Sequence, residues 1–277
     1  MSTKLTLMIA FFVGALPVTS QQSQRSDLSP GIRQFWRVSG SQNEVSLESY
    51  GGTFPHVAFG GPWKTVFALI NPETTWPAKG TLEFYASNGD PLTVTLADKS
   101  GTRTGTRFPL DVGPRQTVFL ETVSSLSDVR VGFANLTVDS GKLIGDAIFR
   151  ATIPGRPDLE AVVPLETNAM LRAVFPFDNT NGFVTSVAIA NSHPYGADCN
   201  LVVTIYNETG DVLGVYRKTL KRHNHIAFET NTEWPASANQ RGSINITIEG
   251  FSTAFTALAL LFNPSGAVTS ALVGHQW

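Results

Sequence analysis

An internal repeat constrains the fold of this chain of 277 residues more than any other feature of its sequence. Segments of one half match segments of the other half in the same order, which is the signature of a repeated structural unit. The matching pairs are LEFYASNGDPL (82–92) with VTIYNETGDVL (203–213), TVFALIN (65–71) with TSVAIAN (185–191), VFLET (118–122) with IAFET (226–230), and 131–164 with 241–274. The sequence therefore predicts two copies of one unit.

Changes in the offset between the copies locate insertions. The offset is 121 at residues 82–92 but 108 at residues 118–122, so the first copy carries about 13 extra residues around 97–107. This stretch, ADKSGTRTGTR, is polar, basic and rich in glycine, which predicts a solvated loop between strands. The offset then rises to 110 and stays constant over 131–164, which places two extra residues of the second copy near 233–235.

The spacing of apolar residues within each copy predicts strands. Short β-branched and aromatic runs alternate with polar residues and are separated by Gly, Ser, Asp and Pro, and no stretch carries the apolar stripe of a helix. We therefore predict an all-β chain of two tandem antiparallel, Ig-like β-sandwich domains from an internal duplication, at 54–165 and 174–277, joined by 166–173. Gly89 and Gly210 are predicted to adopt positive φ in two-residue hairpin turns.

The first twenty residues have the pattern of a secretory signal peptide. Lys4 supplies a positive charge, residues 5–18 are mostly apolar, and small residues at 18–20 precede the expected cleavage site. The apolar stretch is too short to span a membrane, and no later run reaches that length. We therefore expect the chain to be secreted, to the periplasm, the cell surface or the extracellular space.

Residues 21–53 precede the first copy and form a partly strand-forming N-terminal arm. The segments 32–38 and 44–50 have the composition of strands. Because open sandwiches have edge strands that must be covered, one of these segments is expected to add to a sheet edge, with Phe35 or Trp36 packed against a sandwich. Pairing within the chain is favoured, and exchange with a neighbouring chain, which would give self-assembly, is the alternative.

Composition excludes several classes of protein. Lys and Arg total 20 and Asp and Glu total 22, so the net charge of −2 provides no field for binding nucleic acid. A hydrophobic fraction of 42% is sufficient to fold the chain, which excludes general disorder. The single cysteine, Cys199, excludes a disulfide framework and a cysteine-rich metal module. We expect a buried free thiol there, with an interchain disulfide as the alternative.

The turns at the start of each copy carry a resemblance to a known group of proteins. The first copy reads Phe54-Pro55, then Gly60-Gly61-Pro62-Trp63, then a T-x-x-x-L-x-N-P segment at 65–72 and F-Y-x-x-x-G-D-P-L; the second begins with FPFDN at 175–179. This order resembles the tandem β-sandwich repeat proteins of unknown function that soil bacteria such as acidobacteria secrete. The resemblance implies a surface or extracellular, non-catalytic module, and it provides no catalytic residues.

Aromatic side chains are the candidate ligand contacts. Trp76 and Trp234 are each followed by proline and are predicted to lie in loops, and Trp63 follows the glycine-rich turn. Exposed tryptophans of sandwich proteins stack on sugar rings, but a loop tryptophan also commonly covers the end of its own core. Both interpretations stand for Trp63, Trp76 and Trp234, and core packing is favoured.

Titratable residues give weaker signals. His223 and His225 are spaced so that both rings could face one metal ion from a strand, but the basic segment LKRHNHIAF favours a solvated turn that enters a strand. Glu121 and Glu229 end equivalent strands, which places them in different domains and favours structural hydrogen bonds over paired catalysis.

Three Asn-x-Thr sequences are glycosylation sequons, at Asn135, Asn207 and Asn245. The favoured interpretation is that these asparagines alternate with threonine on the solvent face of strands.

These observations lead to one expected function and one alternative. We expect a secreted, non-catalytic surface or matrix module, without cofactor or bound metal, that acts through protein–protein or adhesive contacts. Its expected partners are other surface or matrix proteins, with glycans as further candidates, and neither nucleic acid nor a membrane span is expected. The alternative is a carbohydrate-binding protein that uses loop aromatics.

Overall fold

A computed structural model describes most of the chain after its N-terminal segment. The described residues are 49–155, 158–192, 197–250, 253–265, 267–271 and 274–275. The predicted signal peptide and the arm up to residue 48, including Phe35 and Trp36, lie outside the described residues.

The predicted fold class is confirmed at the level of an all-β protein. Strands account for 63% of the chain and helices for 3%, and the sheets are antiparallel. Alternation of side chains produces strands with one buried and one exposed face, as in β6, where alternate residues are buried and exposed.

The first half forms two facing sheets around a core of Phe54, Phe67, Phe84 and neighbouring side chains. Its strands are β1 (Ser49–Phe59), β2 (Trp63–Ile70), β3 (Ala78–Ala86), β4 (Val94–Asp98), β5 (Gly101–Gly105), β6 (Arg107–Val112), β7 (Thr117–Thr122), β8 (Arg130–Ser140), β9 (Ile144–Ala151) and β10 (Leu159–Pro164). One sheet has the order β1-β8-β3-β6 and the other has the order β10-β9-β2-β7-β4-β5.

The second half also forms two sheets, around a core that includes Phe175, Phe255 and Ile246. Its elements are β11 (Arg172–Asp178), β12 (Val184–Ala190), β13 (Cys199–Asn207), β14 (Val212–Leu220), β15 (His225–Glu229), α1 (Thr230–Glu233), a 3-10 turn (Pro235–Ser237), β16 (Arg241–Ile248), β17 (Thr256–Phe262), β18 (Val268–Ala271) and β19 (Gly274–His275). The sheet orders are β14-β13-β16-β11-β19 and β15-β12-β17-β18.

Strand pairing corresponds between the two halves. The order β1-β8-β3-β6 corresponds to β11-β16-β13-β14, and β10-β9-β2-β7 corresponds to β18-β17-β12-β15. The predicted offset of 110 does not hold for β9 and β17: Ala68 lies opposite Asp146, whereas Ala188, its match at offset 120, lies opposite Leu258, which is 112 residues after Asp146. Because the slip is two residues, each side chain keeps its face of the sheet.

The insertion around 97–107, predicted as a solvated loop, is largely exposed but consists mainly of a paired hairpin. Strands β4 and β5 pair in register and extend the second sheet of the first half. Asp98 closes the turn by accepting a hydrogen bond from the Ser100 N–H at 2.7 Å, and the hydroxyls of Thr95 and Thr104 bond across the strands at 2.8 Å. Alternating threonines therefore build a paired ribbon from a polar sequence.

The predicted positive φ is confirmed at both turn glycines. Gly89 and Gly210 each have φ of 87°, and each donates its N–H to a residue three positions earlier, Ala86 or Asn207. The turns are three-residue loops with glycine in the left-handed position, not two-residue turns as predicted, because the strand pair closes one residue later, at Asp90 or Asp211.

The first strand begins within the predicted arm. Ser49 and Tyr50 pair with Val138 and Thr137 of β8 in the same chain, five residues before the predicted boundary at residue 54. The described end of the segment 44–50 therefore pairs with its own chain.

Candidate functional site

The two sandwiches meet across an apolar junction. Strands β1 and β10 form one edge of the first sandwich, and this edge packs against the sheet that contains β12 and β17. Ala188, Leu258, Leu260 and Phe262 of the second half belong to the same buried cluster as the core of the first half. The β12–β17 sheet is therefore covered on both faces, because Val187 and Ala259 pack into the second core.

A chain of polar side chains crosses this junction. The His225 Nε2 and the His56 Nδ1 lie 3.0 Å apart, and the His225 Nδ1 lies 3.1 Å from the Ser87 Oγ. The His225 N–H of the backbone also donates to the Ser87 O at 3.0 Å. Because Ser87 and His56 belong to the first half and His225 to the second, these bonds connect the two sandwiches.

Both histidines are held in the neutral form. Burial lowers the pKa of His56 from its ordinary value of 6.5 to about 4, and burial together with the neighbouring His56 lowers the pKa of His225 well below that value. Two neutral arrangements fit the geometry. In one, the Ser87 hydroxyl donates to the His225 Nδ1 and the His225 Nε2–H donates to the His56 Nδ1; in the other, the His56 Nδ1–H donates to the His225 Nε2 and the His225 Nδ1–H donates to the Ser87 Oγ. The three linked side chains of Ser87, His225 and His56 are therefore uncharged at neutral pH.

His223 and His225 have different surroundings, so they do not form a shared site. His225 is buried in the junction, which corrects the expectation of a solvated turn at this residue. His223 has φ of 58° in the preceding turn, and its ring contacts that of Tyr85. Within the described ranges, no group of three or more His, Cys, Asp and Glu side chains is arranged to hold a metal ion.

The three candidate tryptophans differ in environment. Trp234 is only 3% exposed and its ring packs edge-on against Phe228 at 4.7 Å, so it belongs to the second core and the expectation of ligand contact does not hold for it. Trp63 is half-buried and packs against the first core. Trp76, with 71% of its surface exposed, is the one of these three that is open to a ligand.

The predicted sequon asparagines do not all face solvent. Asn135 is buried at the junction, where its Oδ1 accepts a hydrogen bond from Thr53 at 2.7 Å and its Nδ2 donates to the Ser192 O at 3.3 Å, so the solvent-face expectation is wrong there. The Asn245 Oδ1 accepts from the Arg172 Nε at 2.8 Å. Asn207 lies at an exposed turn and borders a shallow polar cleft of about 250 Å³ that Arg241 also lines.

Glu121, Glu229 and Cys199 have structural surroundings. Glu121 forms an ion pair with Lys64 at 2.8 Å on the surface of the first sandwich. Glu229 is half-buried, and this burial raises the pKa of its carboxyl group. Cys199 is a buried free thiol, and its burial raises its pKa to about 11. A thiol with that pKa is not a reactive nucleophile at neutral pH.

An exposed apolar face on the first sandwich is the site that the sequence analysis missed. We call it the outer face: the outward side of β10, β9, β2 and β7. The exposed carboxylate of Asp146 lies within it, directly opposite Ala68. Its apolar side chains are Val66, Ala68, Ile70, Phe119, Ile144, Ile148 and Val162. Phe119 is 58% exposed, directly opposite Ala68 on the neighbouring strand. The sequence carries one signal of this face. The side of β2 opposite the core residues Phe67 and Leu69 is also apolar, with Val66, Ala68 and Ile70.

The outer face has a counterpart in the second half that is covered. The corresponding sheet, β18-β17-β12-β15, is the one that packs against the first sandwich through Ala188, Leu258 and Leu260. The side of the sheet that is packed in the second half is therefore open in the first half, where no described residue covers Phe119, Ile144 or Val162.

Comparison with known proteins does not identify the chain. No model of a protein family matches the sequence, and no curated protein shows significant similarity to it. Among the residues that the structure describes, no helix has both the length and the apolar composition needed to cross a membrane.

Proposed function

We propose that this chain is a secreted, non-catalytic module of the cell surface or extracellular matrix that acts through protein–protein or adhesive contacts. The observation that carries the proposal is the outer face, where the exposed Phe119, Ile144 and Val162 lie among half-buried aliphatic side chains. Contiguous apolar patches of this kind are uncommon on monomeric proteins and mark interaction surfaces. The signal peptide predicted at 1–20 supports export.

We further propose that the two halves are Ig-like copies from an internal duplication, as the resemblance to tandem repeat proteins implies. Equivalent side chains support this. The Asn71 Nδ2 donates to the Val112 O at 2.9 Å, and the Asn191 Nδ2 donates to the Leu220 O at 3.0 Å. The two asparagines, and likewise the two residues whose carbonyls accept these bonds, are separated by the offsets of the sequence repeat. The same buried hydrogen bond therefore occurs in both halves.

The Ser87–His225–His56 chain has a structural role in this proposal. A serine next to a histidine is also the start of a nucleophilic site, but a base of this kind must accept a proton and become charged. Here both rings are buried and neutral. Hydrolysis of an ester, peptide or glycoside that is lost in Ser87→Ala would contradict the non-catalytic proposal.

A substitution on the outer face tests the proposed contacts. Phe119→Asp is expected to reduce binding of the purified, fluorescently labelled chain to washed bacterial cells and their extracellular matrix by about 10-fold or more, because it replaces the most exposed apolar side chain of the outer face with a charge. Val215→Asp is the matched control, since Val215 is similarly exposed, at 51%, but lies on β14 of the other sandwich. Equal binding by the wild type and both variants would contradict the proposal.

Carbohydrate binding is the alternative, and the exposure of Trp76 favours it. On a glycan array, Trp76→Ala is expected to abolish saturable sugar binding if this ring stacks on a sugar, because the stacking surface is removed. Phe119→Asp is the control and would leave sugar binding unchanged. An array without saturable binding by the wild type would dismiss the alternative.

A further inference from the structure

We propose that the N-terminal arm, through residues 32–38, covers the outer face of the first sandwich in its own chain and competes there with the partner of that face. This inference rests on the proposed function, because it names the regulation of the same surface. Three features point to this occupant: the chemistry of the outer face, the place where the described chain begins, and the sequence of residues 32–38.

The chemistry of the outer face requires an occupant that is apolar and also carries a positive charge. Phe119 is exposed beside Ala68, and the exposed carboxylate of Asp146 lies on the other side of Ala68. None of the described basic side chains forms an ion pair with this carboxylate, because those of the face pair elsewhere, Lys64 with Glu121 and Arg150 with Glu160. A cover without a cation would leave the carboxylate buried and without an opposite charge, which is costly.

The second half shows which part of the chain covers this side of the sheet. Its corresponding face packs against the β1–β10 edge of the first sandwich, which precedes it in the chain. Leu258 lies opposite Ala188 there, as Asp146 lies opposite Ala68 in the first half, so an apolar edge is a sufficient cover. Repeat proteins commonly protect a terminal repeat with a capping element that has a polar outer side. In the first half, the part of the chain that precedes the sandwich is the arm.

The described chain begins beside one end of the outer face. The Tyr50 hydroxyl donates to the Glu166 O at 3.4 Å. Leu165, which precedes Glu166, donates its N–H to the Gly145 O at 3.1 Å, and Gly145 is the neighbour of Asp146 in β9. The arm therefore joins β1 close to the carboxylate that requires a cation.

The arm is long enough to reach the centre of the face. Residues 39–48 connect β1 to residues 32–38 and span up to about 33 Å when extended. The path from β1 to β2 crosses one distance between sheets, about 10 Å, and three strand spacings of about 4.8 Å, which together are about 25 Å. Contact within the chain is favoured over exchange because the tether gives it a high effective concentration.

The sequence of residues 32–38, IRQFWRV, has the composition that the face requires. Phe35 and Trp36 are adjacent, so an extended segment directs one ring toward the sheet whichever side it presents. Arg33 and Arg37 flank the two rings, and the segment has no carboxylate of its own. Arginine covers apolar surface with its aliphatic stem while its guanidinium reaches a carboxylate, which matches the mixed chemistry of the face.

Photo-cross-linking tests the contact in the chain produced without residues 1–20. A benzophenone maleimide is attached to Ile144→Cys, at the exposed margin of the outer face, and the native thiol does not react because Cys199 is buried. Mass spectrometry is expected to find cross-links to residues 30–40 about 10-fold more often than from the control Val215→Cys on β14. Mixing with isotope-labelled wild type distinguishes the two sources, and only links within one chain are expected. Equal yields from both cysteines, or links to the labelled chain, would overturn the proposal.

A charge exchange tests which residues of the arm make the contact. Asp146→Arg is expected to lower the cross-linking yield about 10-fold, because it places like charges together. Adding Arg33→Glu and Arg37→Glu to the same chain is expected to restore the yield. Circular dichroism of both variants verifies that the sandwiches remain folded. A yield that Asp146→Arg leaves unchanged, or that the combined variant does not restore, would contradict the assignment of residues 32–38.

Loss of the aromatic rings tests the competition with the partner. Phe35→Ser/Trp36→Ser is expected to increase binding of the labelled chain to washed cells and matrix about 10-fold, because a face that is open about a tenth of the time has about a tenth of its intrinsic affinity. Leu28→Ser is the matched control, since it makes the same kind of change in the arm outside residues 32–38. Equal binding by the wild type and the double variant would overturn the competition.

The two proposals fail in different ways. Binding that is lost in Phe119→Asp, in a chain whose arm does not cross-link to Ile144→Cys, would remove the cover and leave the proposed function standing. Cross-linking to residues 30–40 without any effect of Phe119→Asp or Phe35→Ser/Trp36→Ser on binding would support the cover and contradict the proposed adhesive role of the outer face.

Discussion

Lowering the pH from 7 to 4 is expected to reduce the free energy of unfolding by about 3 kcal/mol through His56, with a further loss through His225. Burial holds the folded-state pKa of His56 at about 4, whereas in the unfolded chain it is near 6.5. The unfolded state therefore binds more protons below pH 6.5. This contribution to stability is present above pH 6.5 and is lost as the pH falls through the folded-state pKa.

Urea titrations at several pH values measure this effect. Because Asp98 and other carboxylates also titrate in acid, the informative quantity is the difference between the wild type and His56→Leu/His225→Leu, which is expected to have a flatter pH profile between 6.5 and 4. His223→Asn is the matched control, since this half-buried histidine lies outside the pair and asparagine tolerates its positive φ. Parallel profiles for the wild type and the double variant would contradict the role of the pair.

The sequence predicts local structure well where a side-chain pattern has one physical solution. Gly89 and Gly210 stand in turns that require positive φ, and both adopt it. Alternation in segments such as RFPLDV (107–112) requires one buried and one exposed face, and β6 has both. These features depend on neighbours within a strand or turn, and such neighbours are visible in the sequence.

The junction could not be predicted in the same way, because it depends on contacts between segments far apart in the chain. His56 and His225 are separated by 169 positions, and only the packing of β1 on the second sandwich brings them together. One signal was present: TSVAIAN (185–191) is apolar or small throughout, as expected for a strand that is buried on both faces. Its match in the first copy, TVFALIN (65–71), has the same character, yet its outer side is only half-buried. The pattern therefore predicts a second apolar face on both strands, but it does not predict which residues cover that face.

The candidate site was predicted only in part, and Trp234 shows why. Trp76 and Trp234 share a Trp-Pro sequence in polar surroundings, so composition gives them the same interpretation. The structure separates them because the two extra residues near 233–235 lie in the turn from α1 to the 3-10 turn that follows, and this turn directs Trp234 into the second core. In the first half, the corresponding connection leaves Leu126 exposed instead.

Trp234→Ala is accordingly expected to destabilise the chain by about 3–5 kcal/mol, the usual cost of removing a buried tryptophan and leaving a cavity. The substitution removes the ring that packs against Phe228. It also removes the side chain that holds the turn between Thr230 and Ser237 against the core, a turn in which the Trp234 backbone bonds to both of these residues. Thermal unfolding followed by circular dichroism measures the effect, with an expected fall in Tm of about 10 °C.

Trp76→Ala is the matched control for this measurement, because it removes the same side chain from a loop where it is 71% exposed. Its expected effect is within about 0.5 kcal/mol, as for surface substitutions in general. The contrast between the two variants distinguishes a tryptophan that closes a core from one that is available to a ligand. Equal melting temperatures for both variants would mean that Trp234 does not support the second core, and a large loss in Trp76→Ala alone would reverse the assignment of the two residues.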